Sequence, residues 1–183
     1  RHVPEVEIYS IDEAFIKFSG FSEDEANKKC KEIIKTVFKW TGIPVSIGLA
    51  STKSLAKVAN RIAKKNSHKT NGFYSISSNK KRLEALNNIP TGDIWGIGFQ
   101  NEKKLSRINV KNGMDFINLP DKWVKKNMSI IGLKLKKELE GTPTLDIEEG
   151  KMDKKSIATT RSFEAEISTL DDLIERITTF SVV

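Results

Sequence analysis

The first third of the chain alternates short strand-like segments with longer amphipathic ones. Apolar and polar residues alternate over 5–9, and a second apolar segment follows at 14–18, so the stretch between them predicts a tight reversal joining two strands. The further predicted elements are a helix from about 23 to 40 with Ser22 as its cap, a strand at 45–49, a helix from 51 or 52 to about 64, and a short strand at 72–76. This order predicts an α+β fold with helices packed on an antiparallel-rich sheet.

The pattern changes after Ser78. Helical spacing of apolar residues continues from 80 to 140, but proline and glycine interrupt it at Pro90, Gly92, Gly96, Gly98, Gly113 and Pro120. Such interruptions are typical of a small all-α unit built from short helices. The charge-dense stretch 146–153 is a candidate linker, and beyond it 156–163 has the pattern of a strand and 170–180 that of a helix.

Composition excludes several classes of protein. The 183 residues contain no run of about 18 apolar residues that would mark a transmembrane helix, and the polar start has no signal-peptide pattern. The single cysteine, Cys30, excludes a disulfide scaffold and a cysteine-based zinc cluster. The two histidines, His2 and His68, argue against a histidine-rich metal site. These features predict a cytoplasmic protein with no membrane partner.

The distribution of charge indicates a polyanionic partner. The net charge is +7, and no Asp or Glu occurs from 33 to 83. The same stretch carries Lys35, Lys39, Lys53, Lys57, Arg61, Lys64, Lys65, Lys69, Lys80, Lys81 and Arg82. This segregation creates a positive field suited to phosphates. A solvated basic face that binds nothing remains the alternative.

The first candidate chemical group is the adjacent pair Asp12 and Glu13. Neighbouring side chains in a strand point to opposite faces, but in a tight turn they can converge. Two carboxylates in that position suit a hard divalent cation such as Mg²⁺. An ordinary solvated turn is the alternative.

The second candidate group is a row of basic residues on one predicted helix, formed by Lys53, Lys57, Arg61 and Lys64. Like charges four residues apart repel each other, which favours a bound anion between them. The preceding segment 48–52 could aim amides of the helix N-terminus at a phosphate, although it lacks the spacing of a P-loop. An amphipathic surface helix is the alternative.

The third candidate group is Gly96-Ile97-Gly98, followed by Lys103 and Lys104. Glycines between two short helices let backbone amides bind a phosphate oxygen without recognising sequence. Ordinary helix packing is the alternative, but the lysines favour contact with a DNA backbone.

Taken in order, these groups resemble the Y-family translesion DNA polymerases, most closely the UmuC-like bacterial branch. The matching stretches are Tyr9–Phe15, Val45–Asn60, Ile94–Gly98, Lys136–Pro143 and Thr160–Phe163. The resemblance implies a partial palm at 1–77, a helical thumb at 78–148 with a helix-hairpin-helix at Trp95–Gly98, a linker at 149–154, and the first strand and helix of a little-finger domain at 155–183.

The resemblance also implies an activity and its residues. Asp12 and Glu13 would be two of three carboxylates that hold two Mg²⁺ ions, and Lys64, with Lys57 on the same helix face, would bind the incoming triphosphate. The implied DNA contacts are Gly96, Ile97, Gly98, Lys103, Lys104 and Arg161. The implied partners are primer-template DNA, deoxynucleoside triphosphates and, for the complete protein, a sliding clamp and accessory proteins of the SOS damage response.

One family motif is absent from the sequence. The family begins with Asp-x-(Asn/Asp)-x-Phe-(Phe/Tyr), whose Asp is the third metal ligand, followed by the fingers. Without them, we expect an internal fragment that is inactive by itself. A non-catalytic DNA-binding or scaffold domain with the same fold is the alternative. A nucleotide cyclase is a third, although the helical hairpin after the palm argues against it.

Overall fold

The computed structural model describes residues 5–148, 158, 160, 162–163 and 166–181. The chain divides into a larger compact unit, Arg1–Glu149, and a smaller one, Gly150–Val183. The division into palm, thumb, linker and little finger is finer than these two units and stays a prediction.

The described residues of the larger unit form four strands and seven α-helices. In chain order they are β1 (Glu5–Ile8), β2 (Ala14–Lys17), α1 (Glu23–Thr41), β3 (Ile47–Leu49), α2 (Lys53–Lys65), α3 (Ser67–Thr70), β4 (Phe73–Ser75), α4 (Asn79–Asn88), α5 (Phe99–Arg107), α6 (Gly113–Ile117) and α7 (Asp121–Glu140). A 3₁₀ turn, Thr91–Asp93, lies between α4 and α5. The predicted α+β class and the run of short helices after residue 78 are therefore observed.

The prediction of an antiparallel-rich sheet is wrong. Among the described residues, β1 pairs antiparallel with β2, whereas β3 pairs parallel with β4 in a separate two-stranded sheet. The physical reason is the connection, because α2 crosses over between β3 and β4 and returns the chain in the same direction.

Local sequence determines the ends of the first helix. The Ser22 side chain accepts a hydrogen bond from the Glu25 backbone amide, and the Glu25 carboxylate accepts one from the Ser22 amide, which completes a capping box. Gly42 ends the helix in the left-handed conformation, with a φ of 71°. The helix predicted behind Ser22 is confirmed to within one residue at its end.

The apolar face of α2 lies at the centre of the larger unit. Leu55, Val58 and Ala59 are buried in one hydrophobic core with residues of α4, α5, α6 and α7. The other side of this core contains Leu86, Leu105, Phe116, Val124 and Leu139. Residues on both sides of the predicted palm–thumb boundary thus share a single core.

A buried carboxylate joins the end of α7 to the start of α2. Glu138 is fully buried, and its two oxygens accept hydrogen bonds from the backbone amides of Ser54, Thr144 and Leu145. The Thr52 hydroxyl donates to the Glu138 carbonyl oxygen and accepts from the Leu55 amide. The expectation that the N-terminus of α2 binds a phosphate is therefore wrong, because that end is buried and Glu138 occupies it.

We expect Glu138→Gln to lower the free energy of unfolding by about 1–3 kcal/mol, because an amide NH₂ would face backbone donors that the carboxylate now satisfies. Chemical denaturation measures the loss. Glu84→Gln, on the exposed face of α4, is the matched control and should change stability by less than about 0.5 kcal/mol. Equal stability of the two variants would contradict this role for Glu138.

Helix α7 is interrupted at Ser129. This residue has a φ of 66° and a ψ of −173°, outside the helical region, and its hydroxyl accepts a hydrogen bond from the Ile131 amide. The sequence pattern indicates no break at this position.

No helix in the described part of the chain is both long and apolar enough to cross a membrane.

The smaller unit contains helix α8, Leu170–Ser181, which confirms the helix predicted at 170–180. The rings of Phe163 and Phe180 lie 6.1 Å apart, and the Arg176 guanidinium lies over Phe163. The linker at 149–154, half of the predicted strand at 156–163 and the predicted DNA contact Arg161 lie outside the described residues, and the four described residues of that stretch are not in a strand.

Candidate functional site

The Asp12–Glu13 pair lies in the turn between β1 and β2, as predicted. The Glu13 carbonyl oxygen closes the turn by accepting hydrogen bonds from the amides of Tyr9 and Ser10, each 3.0 Å long. One Asp12 carboxylate oxygen accepts a hydrogen bond of 2.7 Å from the Ser10 hydroxyl. The backbone of the turn therefore holds two carboxylates on adjacent residues.

The basic face of α2 is paired with carboxylates from distant parts of the chain. Lys53 pairs with Glu7 of β1, and both oxygens of Glu13 accept hydrogen bonds of 2.8 Å from Lys57. Further along the helix, Asp93 pairs with Arg61 and Lys65. These carboxylates offset the repulsion along the helix, so the spacing of the basic residues does not by itself require a bound anion. Sequence spacing gave no indication of the pairs, because each joins residues far apart in the chain.

Hydrogen bonding holds the pKa values of two of these carboxyl groups, Asp93 and Glu7, below their ordinary values. The hydrogen bond from Lys65 holds the pKa of Asp93 below its ordinary value, burial opposes this, and Arg61 adds to it. Burial raises the pKa of Glu7, but the Glu148 amide and Lys53 outweigh it and the pKa is lowered. The stability that these pairs contribute is present above the ordinary carboxyl range and is lost as pH falls through the lowered pKa values.

A concave surface of about 580 Å³, here called the α2 groove, brings the predicted residues together. It is lined by Glu13, Lys57, Asn60, Arg61, Lys64 and Gly92–Gly98. Lys64 is exposed and has no ion pair among the described residues, unlike Lys57. The Lys64 ammonium group in the groove therefore has no carboxylate partner among the described residues.

The Gly96–Gly98 segment forms one wall of the α2 groove. Gly96 has a φ of 94° in the turn that precedes α5, a conformation that favours glycine. Gly98 is the N-cap of α5 with an ordinary φ of −79°, and a Cβ added there would meet nothing within 4 Å. Ile97 is buried in the core and anchors the segment. The start of α5 thus carries no side-chain cap and faces open space.

The two predicted lysines of α5 differ in their surroundings. Both are exposed, but Lys104 donates a hydrogen bond of 3.1 Å to the Asn127 carbonyl oxygen. Both remain candidates for contact with a phosphate backbone, since an ammonium group has three donors.

The carboxylates of the described residues do not complete a metal site. No group of three or more His, Cys, Asp or Glu side chains within these residues could hold a metal ion. Asp12 and Glu13 supply two carboxylates, and one of them is engaged by Lys57. A pair of metal ions requires further ligands than this turn supplies.

An aromatic cluster at the α2 groove was not predicted. The Tyr9 ring contacts the rings of Phe15 and Trp95 at 5.6 Å each, and the Trp95 indole N–H donates to the Tyr9 hydroxyl at 3.1 Å. The sequence places Tyr9 beside Ser-Ile-Asp-Glu and Trp95 beside Gly96, but nothing in their spacing links them.

A second, larger opening lies between β2 and β3. Its volume is about 790 Å³, and it is lined by residues of both strands together with apolar residues of α1 such as Cys30, Ile33 and Phe38. Asp12, Glu13 and Lys64 also border it. Burial raises the pKa of the Cys30 thiol to about 11, so this cysteine is an inert part of the lining.

Comparison with known proteins identifies a family and relatives to which this chain is similar. The impB/mucB/samB family matches residues 1–61. The protein UmuC of Salmonella typhimurium is 33% identical over 180 residues, which cover 98% of this chain and 43% of the relative. The DNA polymerase IV of Picrophilus torridus is 39% identical over 127 residues, 69% of this chain and 34% of the relative.

A solved structure has the same fold. The crystal structure of DinB from Sulfolobus solfataricus aligns with a TM-score of 0.64 and 24% identity, covering 80% of this chain and 42% of that chain. The chain spans less than half the length of the relatives it matches.

Proposed function

Because this chain belongs to the UmuC-like branch of the Y family, we propose that the complete protein is an error-prone translesion DNA polymerase of bacterial damage tolerance, to which residues 1–183 contribute part of the site. One observation carries the proposal. The α2 groove joins a carboxylate of the Asp12–Glu13 turn, the amine of Lys64 and the Gly96–Gly98 segment on one surface. Three stretches far apart in sequence thereby meet on one surface, which supports a role for this surface in nucleotide transfer to a primer.

In this proposal each part of the groove has one task. The Lys64 ammonium offsets negative charge on the phosphates of an incoming nucleotide. The open start of α5 at Gly98 presents backbone amides to a DNA phosphate, which gives affinity without sequence preference. Lys103 and Lys104 follow on the same helix and add a positive field.

We propose Asp12 and Glu13 as carboxylates of a larger metal-binding set. Mg²⁺, the metal we propose, supplies Lewis acidity in phosphoryl transfer and prefers carboxylate oxygens. Since the described residues do not complete such a site, we propose that a further carboxylate comes from outside the described part of the chain. The opening between β2 and β3 has the size and apolar lining to accept an additional strand that carries it.

A non-catalytic DNA-binding domain is the second candidate function. The incomplete carboxylate set and the pairing of Glu13 with Lys57 favour it for the isolated chain. Both functions predict DNA binding, but only the first predicts template-directed incorporation by the complete protein.

For the complete protein we also propose a sliding clamp and damage-response proteins as partners and the cytoplasm as its location.

We expect Gly98→Val to weaken binding of the complete protein to primer-template DNA by about 1–2 kcal/mol, because the added side chain crowds the amides at the start of α5. Fluorescence anisotropy against a salt series measures the affinity, and its logarithm should fall linearly with the logarithm of salt concentration. Ser106→Val, at the far end of α5, is the matched control and should bind like the parent.

If a folded Gly98→Val variant bound DNA with the same affinity as the parent protein, Gly98 would not be part of the DNA interface. An affinity that stays constant between low and moderate salt would contradict phosphate contacts altogether.

A further inference from the structure

Lys57 and Lys64 lie two helical turns apart on α2, but their surroundings differ. Lys57 is largely shielded, with 19% of its side chain exposed, and its ammonium lies 2.8 Å from each carboxylate oxygen of Glu13. Lys64 is exposed and has no ion pair among the residues that the structure describes. One lysine is thus engaged by a carboxylate, and the other is available to an anion.

Two aromatic rings complete the enclosure of Lys57. Its ammonium lies 5.5 Å from the centre of the Tyr9 ring and 5.9 Å from that of Trp95, within the range of cation–π attraction. If the Lys57 ammonium bound a phosphate instead, it would lose both hydrogen bonds to Glu13 and its contacts with the two rings. Its surroundings therefore favour a fixed position.

The same rings connect two separate segments of the chain. Tyr9 directly precedes the turn that carries Asp12 and Glu13, and Trp95 directly precedes Gly96. The indole N–H of Trp95 donates to the Tyr9 hydroxyl, and both rings contact Phe15 of β2. The cluster ties the carboxylate turn to the Gly96–Gly98 segment.

We infer that Lys57 is a positioning residue that holds Glu13, and that Lys64 alone of the two meets the triphosphate. Together with Tyr9, Phe15 and Trp95, Lys57 fixes the carboxylate turn against the segment proposed to hold DNA. The inference rests on the proposed function for the role of Lys64, whereas the cluster itself stands on the contacts described above.

The first arm of the test measures the kinetics of nucleotide incorporation by the complete protein. A misplaced carboxylate slows the chemical step, so Lys57→Met should lower kcat about 100-fold while the KM for nucleotide stays within about twofold. Lys64→Met should instead raise that KM at least about tenfold. Lys57→Arg, which retains the charge toward Glu13, should recover part of kcat, and Lys28→Met on α1 should match the parent.

The second arm requires no activity. In protein labelled with 5-fluorotryptophan, the ¹⁹F resonance that Trp95→Phe removes is that of Trp95. In the absence of DNA and nucleotide, Lys57→Met should shift this resonance, and Lys64→Met and Lys28→Met should leave it in place.

The two arms separate the possible failures. A shifted Trp95 resonance together with a parent that extends no primer would refute the proposed function and leave the cluster intact. If the parent protein is active and Lys57→Met raises the KM for nucleotide at unchanged kcat, the inference is overturned. Lys57 would then be a residue that binds the triphosphate. An unshifted Trp95 resonance in Lys57→Met would also overturn it.

Discussion

Gly48→Ala is expected to destabilise the larger unit by at least about 4 kcal/mol, at the upper end of single-substitution effects. Gly48 lies in β3, which packs directly on the backbone of α2. A Cβ at this position would approach the Asn60 amide nitrogen, the Ala56 carbonyl oxygen and the Ala59 carbonyl carbon at less than 3 Å. All three are backbone atoms of α2, so no side chain can move aside to relieve the overlap.

Chemical denaturation of the complete protein, followed by tryptophan fluorescence, measures this loss. The matched control is Gly98→Ala, where an added Cβ meets nothing within 4 Å and φ is ordinary. We expect the control to cost only about 1 kcal/mol, because alanine is a weaker N-cap than glycine. If Gly48→Ala unfolds at the same denaturant concentration as the parent, the close approach of β3 to α2 is wrong.

The isolated chain of 183 residues is expected to show no template-directed nucleotide incorporation. Asp12 and Glu13 are the carboxylates that the turn supplies, and the described residues include no third metal-ligating group beside them. Mg²⁺ loses its waters reluctantly, so an incomplete carboxylate set should bind it weakly. The expected loss relative to the complete protein is at least about a thousandfold in rate, as for removal of a principal electrostatic element of a site.

A primer-extension assay with Mg²⁺ and all four nucleotides tests this expectation, and binding of primer-template DNA by the same preparation controls for folding. Extension by the isolated chain that persists after Asp12→Ala would show that the turn is not part of the metal site. Extension that Asp12→Ala abolishes would show that the chain completes the site from its own residues.

Local signals in the sequence were sufficient for the ends of α1 and for the turn between β1 and β2, but not for the break in α7 at Ser129. Ser22 and Gly42 define the ends of α1 because capping involves only neighbouring residues. The turn that carries Asp12 and Glu13 is equally local, since its closing hydrogen bonds span at most four residues. The motif order then located the groove-lining residues along the chain.

Contacts between distant segments were not predictable in this way. The parallel pairing of β3 with β4 depends on the crossover through α2, and periodicity does not reveal strand direction. The glycine of β3 was assigned to a phosphate-binding loop, although its role is to let β3 approach α2. The buried position of Glu138 at the start of α2 joins residues more than 80 positions apart.

The basic face of α2 shows both what the sequence predicts and what it does not. Its spacing correctly predicts one row of charges, but it cannot show that Glu7, Glu13 and Asp93 pair with most of them. Only the folded chain distinguishes the engaged Lys57 from the available Lys64. That distinction changes the expected number of phosphate contacts that this helix makes.

Primer extension by the complete protein tests the central claim most directly. On a primer-template with Mg²⁺, we predict addition of the nucleotide that the template specifies, and we predict that Asp12→Ala and Glu13→Ala each abolish it while DNA binding is retained. Parental extension rates in either variant, or no extension by a folded, DNA-binding parent, would contradict the account.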